Sequence, residues 1–233
     1  MKKKYGMVID LRKCVGCGGC DLACKTENNT ADGISWGSHY TETTGVFPEV
    51  QYEHIPTLCN HCEDPPCVRV CPTQSMYVDE DGFVLHSAES CIGCQSCVLA
   101  DPYGVIHYNS RKPTAKWEST KELVAGCTSS GREIQRLTKQ ELPHVNPDRG
   151  KTYQAVRDKG IVEKCTFCDH KTKQGQQPHC VTSCPAGARV FGDLNDSNSE
   201  ASRLLQKYKS RVLKPHKGTR PKVHYIRNYG DNA

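Results

Sequence analysis

The feature that most constrains this chain is its set of sixteen cysteines, of which all but Cys127 fall into four tight groups. Within a group, two or three residues separate most neighbouring cysteines, and a longer loop precedes the third cysteine of the second and fourth groups. The groups are Cys14, Cys17, Cys20 and Cys24; Cys59, Cys62, Cys67 and Cys71; Cys91, Cys94 and Cys97; and Cys165, Cys168, Cys180 and Cys184. The chain is therefore organised as a repeat of one cysteine motif.

Closely spaced cysteines serve three kinds of chemistry: disulfide bonds, zinc sites and iron–sulfur clusters. Cysteines two residues apart rarely reach disulfide geometry with one another, and disulfide frameworks are typical of short secreted chains. Zinc sites take four ligands from two C-x2-C loops and need no triple run of cysteines. The first and third groups instead match the ferredoxin run C-x2-C-x2-C-x3-C, with one departure in the third. The pattern therefore favours iron–sulfur clusters.

Two histidines near the cysteines, His61 and His170, keep zinc open as an alternative, because imidazole is a common zinc ligand. We interpret both as polar loop residues that hydrogen-bond near cluster sulfurs.

Glycine and proline fit the geometry of the cysteine loops. A loop with two residues between ligands turns tightly enough to offer three sulfurs to one cluster, and Gly16 and Gly93 allow positive φ there. Pro72 and Pro185 follow the last cysteine of their groups and end the short helix that carries it. In ferredoxins that last cysteine binds the other cluster of a pair. We therefore expect paired clusters.

Composition agrees with a chain held together by clusters. Hydrophobic residues make up only 36% of the chain, with 4 Phe and 2 Trp, which is little material for a conventional core. The formal net charge is +5. A four-iron cluster with four thiolates carries about −2 when oxidised, so the basic excess offsets cluster charge and does not indicate a nucleic-acid partner. We find no apolar run long enough for a direct membrane span and no signal peptide.

Periodicity and turn residues predict short elements around the cysteine groups. One of them is a helix that begins at Ser197, the first residue of a capping box with Glu200. The predicted elements are a strand over residues 5–11, a hairpin over 77–85, short strands over 105–108 and 188–191, a helix over 197–211 and an edge strand over 222–226, on this domain or on a partner.

The stretch from residue 111 to residue 160 lacks cluster cysteines and is polar. We interpret it as an insertion, either a surface loop or an arm that faces a partner. Its thiol, Cys127, is expected to be an ordinary cysteine, and the alternative is that it replaces a missing cluster ligand.

The motifs resemble a known family. The order of the groups, the CNHC of residues 59–62, the CTFCDH of residues 165–170 and the CxGCxxC of groups one and three resemble the four-cluster electron-transfer subunits of molybdopterin (dimethyl-sulfoxide reductase) oxidoreductases. Residues 6–29, 55–62 and 221–227 look most like the small subunits of respiratory arsenate reductases. Arsenite oxidases of the same subgroup are similar, so the resemblance leaves the direction of electron flow open.

The resemblance implies an α+β fold of two nested ferredoxin-like [4Fe-4S] modules with a polar insertion and an extended C-terminal tail. Module A comprises residues 1–58 and 161–195 and holds groups one and four. Module B comprises residues 59–110 and holds groups two and three. Residues 111–160 form the insertion, and residues 196–233 form a helix and a partner-facing tail.

The resemblance also implies four ligand sets, which we name sites A1, A2, B1 and B2. Site A1 is Cys14, Cys17, Cys20 and Cys184; site A2 is Cys165, Cys168, Cys180 and Cys24; site B1 is Cys91, Cys94, Cys97 and Cys71; site B2 is Cys59, Cys62, Cys67 and the residue at position 101.

Position 101 departs from the family pattern, because Asp101 stands where the family has cysteine. One hypothesis is that its carboxylate binds iron and completes a four-iron cluster. A second is that the corner is empty and the cluster has three irons. A third is that Asp101 caps a turn and binds no iron. We therefore expect four clusters, three [4Fe-4S] and one that is either [4Fe-4S] with Asp101 or [3Fe-4S].

Four basic residues lie one to five residues from a cysteine in the sequence: Lys25, Arg69, Lys164 and Arg189. They are candidates for stabilising reduced clusters, and the alternative for each is a solvated side chain.

The resemblance implies a non-catalytic subunit that carries electrons between a quinol- or cytochrome-type donor or acceptor and a large molybdopterin-guanine-dinucleotide catalytic subunit, in respiratory arsenate reduction. Other roles are arsenite oxidation, another anaerobic reductase of the family, or a free-standing polyferredoxin. A membrane quinol-oxidising subunit or a cytochrome is a further candidate partner. Because catalytic subunits of this family often carry an export signal, we expect the periplasmic or outer face of the membrane, with the cytoplasm as the alternative.

Overall fold

The computed structural model describes residues 3–31, 33–110, 126–139 and 157–227. Its strands are β1 (Tyr5–Asp10), β2 (Gly37–Val46), β3 (Glu49–Leu58), β4 (Met76–Val78), β5 (Val84–His86), β6 (His107–Tyr108), β7 (Val162–Glu163), β8 (Arg189–Asp193), β9 (Ser210–Arg211) and β10 (Val223–Ile226). Its α-helices are α1 (Gly19–Asn28), α2 (Pro66–Arg69), α3 (Ser96–Ala100), α4 (Gly131–Thr138), α5 (Asp169–Thr172), α6 (His179–Thr182) and α7 (Glu200–Lys207), and a 3-10 turn spans Pro215–Lys217.

Four strands form a sheet in the order β8-β1-β10-β9. Strand β1 runs antiparallel to β8 and parallel to β10. Met7 and Ile9 face the main core, whereas Val8 faces the other side, where Ala201 and Ile226 bury it under α7. The sheet is covered on both faces, so β1 is an almost continuous apolar run.

The strand expected over residues 222–226 lies inside this sheet and is not an edge strand. Its four residues pair with β1 on one side, and Tyr225 and Ile226 pair with β9 on the other. Alternation predicted the strand correctly, but the position at an edge was wrong because β9 comes from a short return after α7.

Helix α7 confirms the expected helix but corrects its cap. Ser199, and not Ser197, is the N-cap residue, and its hydroxyl oxygen accepts a hydrogen bond from the Ser202 N–H at 3.1 Å. Ser199 also donates to the Asp193 carbonyl at 2.5 Å, which joins the helix to the end of β8. The helix ends at Lys207, four residues before the expected end.

The hairpin predicted over residues 77–85 is present as β4 and β5, and the strand after group four is present as β8. The strand expected over residues 105–108 is shorter. Only His107 and Tyr108 pair, and their partner is β7. The N–H groups of Val105 and Ile106 donate to the Asp101 carboxylate, so they are not available to a ladder.

Strands β2 and β3 form a long antiparallel ribbon that the sequence analysis missed. From Ser38 to Tyr52 the ribbon is exposed, and its tip residues Val46 and Phe47 are 82% and 88% exposed. Its base is buried at Ile55 and Leu58, beside the cysteine loops. An exposed ribbon lacks the apolar alternation that marks a half-buried strand.

Most of the insertion predicted over residues 111–160 lies outside the described residues. Its described part contains α4, which Ser130 caps by accepting a hydrogen bond from the Glu133 N–H at 3.2 Å. Cys127 precedes this helix and is exposed. None of the described helices has the length and apolar composition that crossing a bilayer requires.

Candidate iron–sulfur sites

Site A1 opens at the protein surface. Its four cysteines line one pocket together with His39, Pro56 and Arg189. Cys17 is exposed, whereas Cys14, Cys20 and Cys184 are half-buried. The loop passes close to the ribbon, because a Cβ on Gly16 would lie 2.5 Å from the Nδ1 atom of His54. The four sulfurs thus border a common space with one open side.

Site A2 is enclosed, since all four of its cysteines are buried. Burial raises the pKa of Cys24 well above the ordinary thiol value, and the neighbouring Cys165, Cys168 and Cys180 raise it further. Asn28 donates to the Cys24 sulfur at 3.5 Å. Four buried thiols in mutual reach lose their protons readily only when metal supplies compensating positive charge.

Site B2 forms a second pocket, lined by Cys59, Cys62, Cys67 and Asp101. Tyr103 also lines it, and its hydroxyl lies 2.5 Å from the Thr219 hydroxyl. The pKa of Cys62 is raised to about 11 by burial, although hydrogen bonds from Thr219 and Tyr103 oppose this. The sequence did not identify Tyr103 or Thr219 as part of site B2. Thr219 lies far from the cysteines of this site in the sequence.

Asp101 accepts three backbone hydrogen bonds. Its Oδ1 atom accepts from the Tyr103 N–H at 3.0 Å, and its Oδ2 atom accepts from Val105 at 2.6 Å and Ile106 at 3.1 Å. The carboxylate thus caps the turn after α3 while it lines the site B2 pocket. A carboxylate has about four lone-pair positions, so three hydrogen bonds leave about one for a further ligand.

The hydrogen bonds of Asp101 match those of two cysteines at corresponding positions. The Cys71 sulfur accepts from the N–H five residues later, in Met76, at 3.4 Å. The Cys184 sulfur accepts from the N–H four residues later, in Ala188, at 3.3 Å. Asp101 accepts hydrogen bonds from the N–H groups at both positions, four residues later in Val105 and five residues later in Ile106. The carboxylate therefore occupies the backbone setting of a fourth cysteine.

Site B1 is the second exposed set. Cys94 is exposed, Cys71 and Cys91 are half-buried, and Cys97 is buried. Partial burial raises the pKa of Cys71, but hydrogen bonds from Ser75, the Met76 N–H and Thr73 outweigh it and lower the pKa to about 7. The pKa of Cys97 is raised to about 11 by burial and by the adjacent Cys71 and Cys91.

Short helices distribute cysteines between the paired sites. Helix α1 carries Cys20 of site A1 and Cys24 of site A2, one helical turn apart. Helix α3 carries Cys97 of site B1 and ends at Asp101 of site B2. Helices α1 and α6 pack together, and so do α2 and α3. In both pairs of sites, a short helix thus joins one site to the other.

The two inner sites meet at a pair of stacked rings. His61 and Phe167 lie with their ring centroids 3.8 Å apart at an interplanar angle of 15°. They hold the same position in two C-x2-C loops, one in site B2 and one in site A2. Burial raises the pKa of Cys165 well above its ordinary value, and next to burial the nearby Cys59 raises it most. Sites A2 and B2 are therefore neighbours.

Both histidines considered as zinc ligands have other contacts. His61 Nδ1 accepts from the Val84 N–H at 3.1 Å, and His170 Nε2 lies 2.7 Å from the Glu27 carboxylate. Within the described ranges, no three His, Cys, Asp or Glu side chains converge as ligands of a single metal ion would. The ligands of a four-iron cluster lie farther apart than the ligands of a single ion, because each of them binds a different iron.

The four basic candidates separate into two kinds. Lys25 donates to the Ala31 and Ile34 carbonyls at 2.8 and 3.0 Å, and Arg69 is exposed and paired with Asp64. Lys164 is buried and donates to the Cys165 carbonyl at 2.7 Å. Arg189 is also buried. Only the last two place a buried positive charge beside the sites.

Comparison with known proteins assigns the class. A family model described as a 4Fe-4S dicluster domain matches residues 50–130 and 132–194. This chain therefore belongs to the iron–sulfur electron-transfer subunits of molybdopterin oxidoreductases, the family that its motifs resemble, and it binds iron–sulfur clusters. It is an electron-transfer subunit and not a catalytic one.

Three of the relatives that match this chain are subunits of reductases. The chain is 52% identical over 228 residues to the arsenate respiratory reductase iron-sulfur subunit of Shewanella sp. (strain ANA-3), and the match covers 97% of each chain. It is 36% identical to a selenate reductase subunit of Mesobacillus selenatarsenatis, over 94% of this chain and 70% of the relative. It is 33% identical to a tetrathionate reductase subunit of Salmonella typhimurium, over 97% of this chain and 73% of the relative.

Proposed function

We propose that this chain carries four iron–sulfur clusters, one each in sites A1, A2, B2 and B1, and transfers electrons in respiratory arsenate reduction. The observation that carries the arsenate assignment is the 52% identity to an arsenate respiratory reductase iron-sulfur subunit, which extends over 97% of both chains. The selenate and tetrathionate reductase relatives match at 36% and 33%. An arsenite-oxidising role, another anaerobic reductase and a free polyferredoxin remain the alternatives.

The order of the sites supports a linear path for electrons. Sites A1 and B1 each contain an exposed cysteine, Cys17 and Cys94, whereas the cysteines of A2 and B2 are buried. The inner sites adjoin through the stacked rings of His61 and Phe167. An iron–sulfur cluster accepts and releases one electron at a time, and the surrounding residues exclude water and donate hydrogen bonds to sulfur. Electrons therefore enter and leave through A1 and B1.

Partners and location follow from this role. We propose that one exposed site faces a large catalytic subunit that holds molybdopterin-guanine dinucleotide, and that the other faces a membrane quinol-oxidising subunit or a cytochrome. The complex is placed on the periplasmic or outer face of the membrane, through export together with the catalytic subunit, with the cytoplasm as the alternative location. Neither proposal requires this chain to bind nucleic acid or to cross the membrane itself.

Reoxidation kinetics of the native complex test the arsenate assignment. The complex is purified anaerobically, its clusters are reduced, and their visible absorbance is followed after arsenate, selenate or tetrathionate is added. We expect arsenate alone to reoxidise all clusters at once. Reoxidation by selenate or tetrathionate at the same rate, or by none of the three, contradicts the assignment. The separated chain is the matched control, and it should remain reduced with every oxyanion.

The ligand at site B2 is tested by EPR of the same complex. A four-iron cluster with Asp101 is silent when oxidised, whereas a three-iron cluster gives an oxidised signal. The variant Asp101→Cys should give four thiolate-bound clusters and about sixteen irons per chain in either case. A three-iron signal in the anaerobic unsubstituted complex sinks the carboxylate-ligand hypothesis. Full iron with Asp101→Ala shows that Asp101 is only the turn cap.

A further inference from the structure

Arg189 lies where the two sites of module A meet. It begins β8, where it pairs with Ile9 of the central strand, and its side chain is 4% exposed. The side chain lines the site A1 pocket, and its Nη1 atom lies 3.8 Å from the Met7 sulfur. The sheet thus holds the Arg189 guanidinium against the cysteine loops of site A1.

The charge of Arg189 has no carboxylate partner in the part of the chain that the structure describes. No described Asp or Glu oxygen forms an ion pair with it. Its Nη2 atom also has no hydrogen-bond partner among those residues. Burying an ion without a counter-charge is costly, so the native protein must supply negative charge at this point.

Strand β8, which Arg189 begins, packs against α6, the helix that carries Cys180 of site A2. The cysteine sulfurs whose charge acts most strongly on Arg189 are those of Cys180 and Cys20. Cys180 belongs to site A2 and Cys20 to site A1. Asp21 contributes less, and its carboxylate contacts His39 at 3.0 Å. One guanidinium therefore faces two ligand sets whose occupied forms carry negative charge.

Module B has no charge at the corresponding positions. Arg189 lies five residues after Cys184, the last ligand of its group. The residues five after Cys71 and Asp101 are Met76 and Ile106, which are buried and apolar. The joining of two sites by a short helix therefore does not require a cation here, so the fold alone does not explain Arg189.

We propose that Arg189 is a positively charged residue shared by sites A1 and A2, where it raises the reduction potentials of both clusters. A reduced cluster carries one more negative charge than an oxidised one, so a buried cation stabilises the reduced state. The interaction is only weakly screened at this depth. Arg189 acts as a tuning residue and binds no iron. The inference rests on the proposed function, because it requires clusters in both sites.

A redox titration monitored by EPR tests the inference on the anaerobically purified complex. In Arg189→Gln we expect two of the four reduction equilibria to shift toward the oxidised state by about tenfold, which is about 59 mV for one electron. The other two should stay unchanged. Arg189→Lys retains the charge and should shift the same two equilibria less than half as far. Met76→Leu, at the matched position of module B, should leave them unchanged.

Each other outcome has a defined meaning. Unchanged potentials in Arg189→Gln, equal shifts in the Gln and Lys variants, or shifts in all four clusters overturn the inference. If Arg189→Gln loses about eight irons, Arg189→Lys with full iron decides the question: a shift confined to two potentials supports the inference, and unchanged potentials overturn it. Loss of iron in both variants assigns Arg189 a packing role and overturns it. Failure of the proposed function is distinct, since too few irons would then be found in the unsubstituted chain.

Discussion

The residue just before the second cysteine has a positive φ in all four groups. The residues are Gly16, His61, Gly93 and Phe167, with φ of 65°, 42°, 67° and 57°. Glycine adopts this region freely, whereas a residue with a Cβ pays on the order of 1–2 kcal/mol. His61 and Phe167 offset that cost by stacking on each other between sites A2 and B2. The turn is thus a shared requirement of the sites.

Gly16→Ala should empty site A1. The new methyl group would combine the unfavourable left-handed backbone with a 2.5 Å approach to the His54 ring, so either the ring is displaced or the loop moves together with its cysteines. We expect a loss of about four irons per chain, measured by elemental analysis. Gly175→Ala is the matched control, because Gly175 has φ +78° and no neighbour within 4 Å. Equal iron in both variants contradicts the prediction.

Helix α7 depends on a cap that two serines could have provided. Ser199→Ala removes the acceptor of the Ser202 N–H and the donor to Asp193, and should weaken the first turn by about 1 kcal/mol. Hydrogen exchange at Ser202 should then be about fivefold faster if local opening governs it. Ser197→Ala should leave exchange unchanged. The reverse pattern would restore the capping box inferred from the sequence.

Glu27 ties α1 to the helices of group four. Its carboxylate contacts His170 at 2.7 Å and Lys171 at 3.4 Å, and His179 lies 3.9 Å away. Burial raises the pKa of Glu27, but the hydrogen bond from His170 and the positive charges of Lys171 and His179 outweigh it and lower the pKa. The ionised carboxylate therefore stabilises the fold above the unfolded pKa of about 4.5, and this contribution is lost as pH falls through the lower folded pKa.

Glu27→Gln should consequently lower the midpoint of urea denaturation most near neutral pH. The difference between the variant and the unsubstituted protein should shrink as pH falls below about 4.5, because the unsubstituted protein then loses the same interaction. Tryptophan fluorescence of the two proteins from pH 7 to pH 4 measures this difference. A gap that stays constant or widens in acid would falsify the assigned role of the carboxylate.

Elements and sites differed in how far sequence could predict them. Strands β1 and β10 were predictable because burial gives them apolar patterns, and the cysteine groups because cluster binding dictates their spacing. The ribbon of β2 and β3 was not predictable, since its exposed residues from Ser38 to Tyr52 carry no buried face. The spacing also did not show which residue is the fourth ligand of each site. That assignment came from the family resemblance. The burial of Arg189 became visible only in the fold.

The whole molecule combines low apolar content with a dense set of cysteines, some of which lie in its main core. Its main core includes Cys24, Cys59, Cys165 and Cys180 alongside a few aromatic rings. Clusters in these sites would contribute to the core as well as carry electrons, so iron content and folding should be inseparable. Sites A1 and B1, which each contain an exposed cysteine, would be the two ends of the proposed path.

Iron and molybdenum analysis of the complex, purified anaerobically from its native host, tests the central claim most directly. We predict about sixteen irons per copy of this chain after subtraction of any iron in the partners, or about fifteen with a three-iron cluster at site B2. Molybdenum should be nearly stoichiometric in a co-purifying large subunit. About eight irons would contradict the four-cluster path, and full iron with neither molybdenum nor a partner would make the chain a free-standing polyferredoxin.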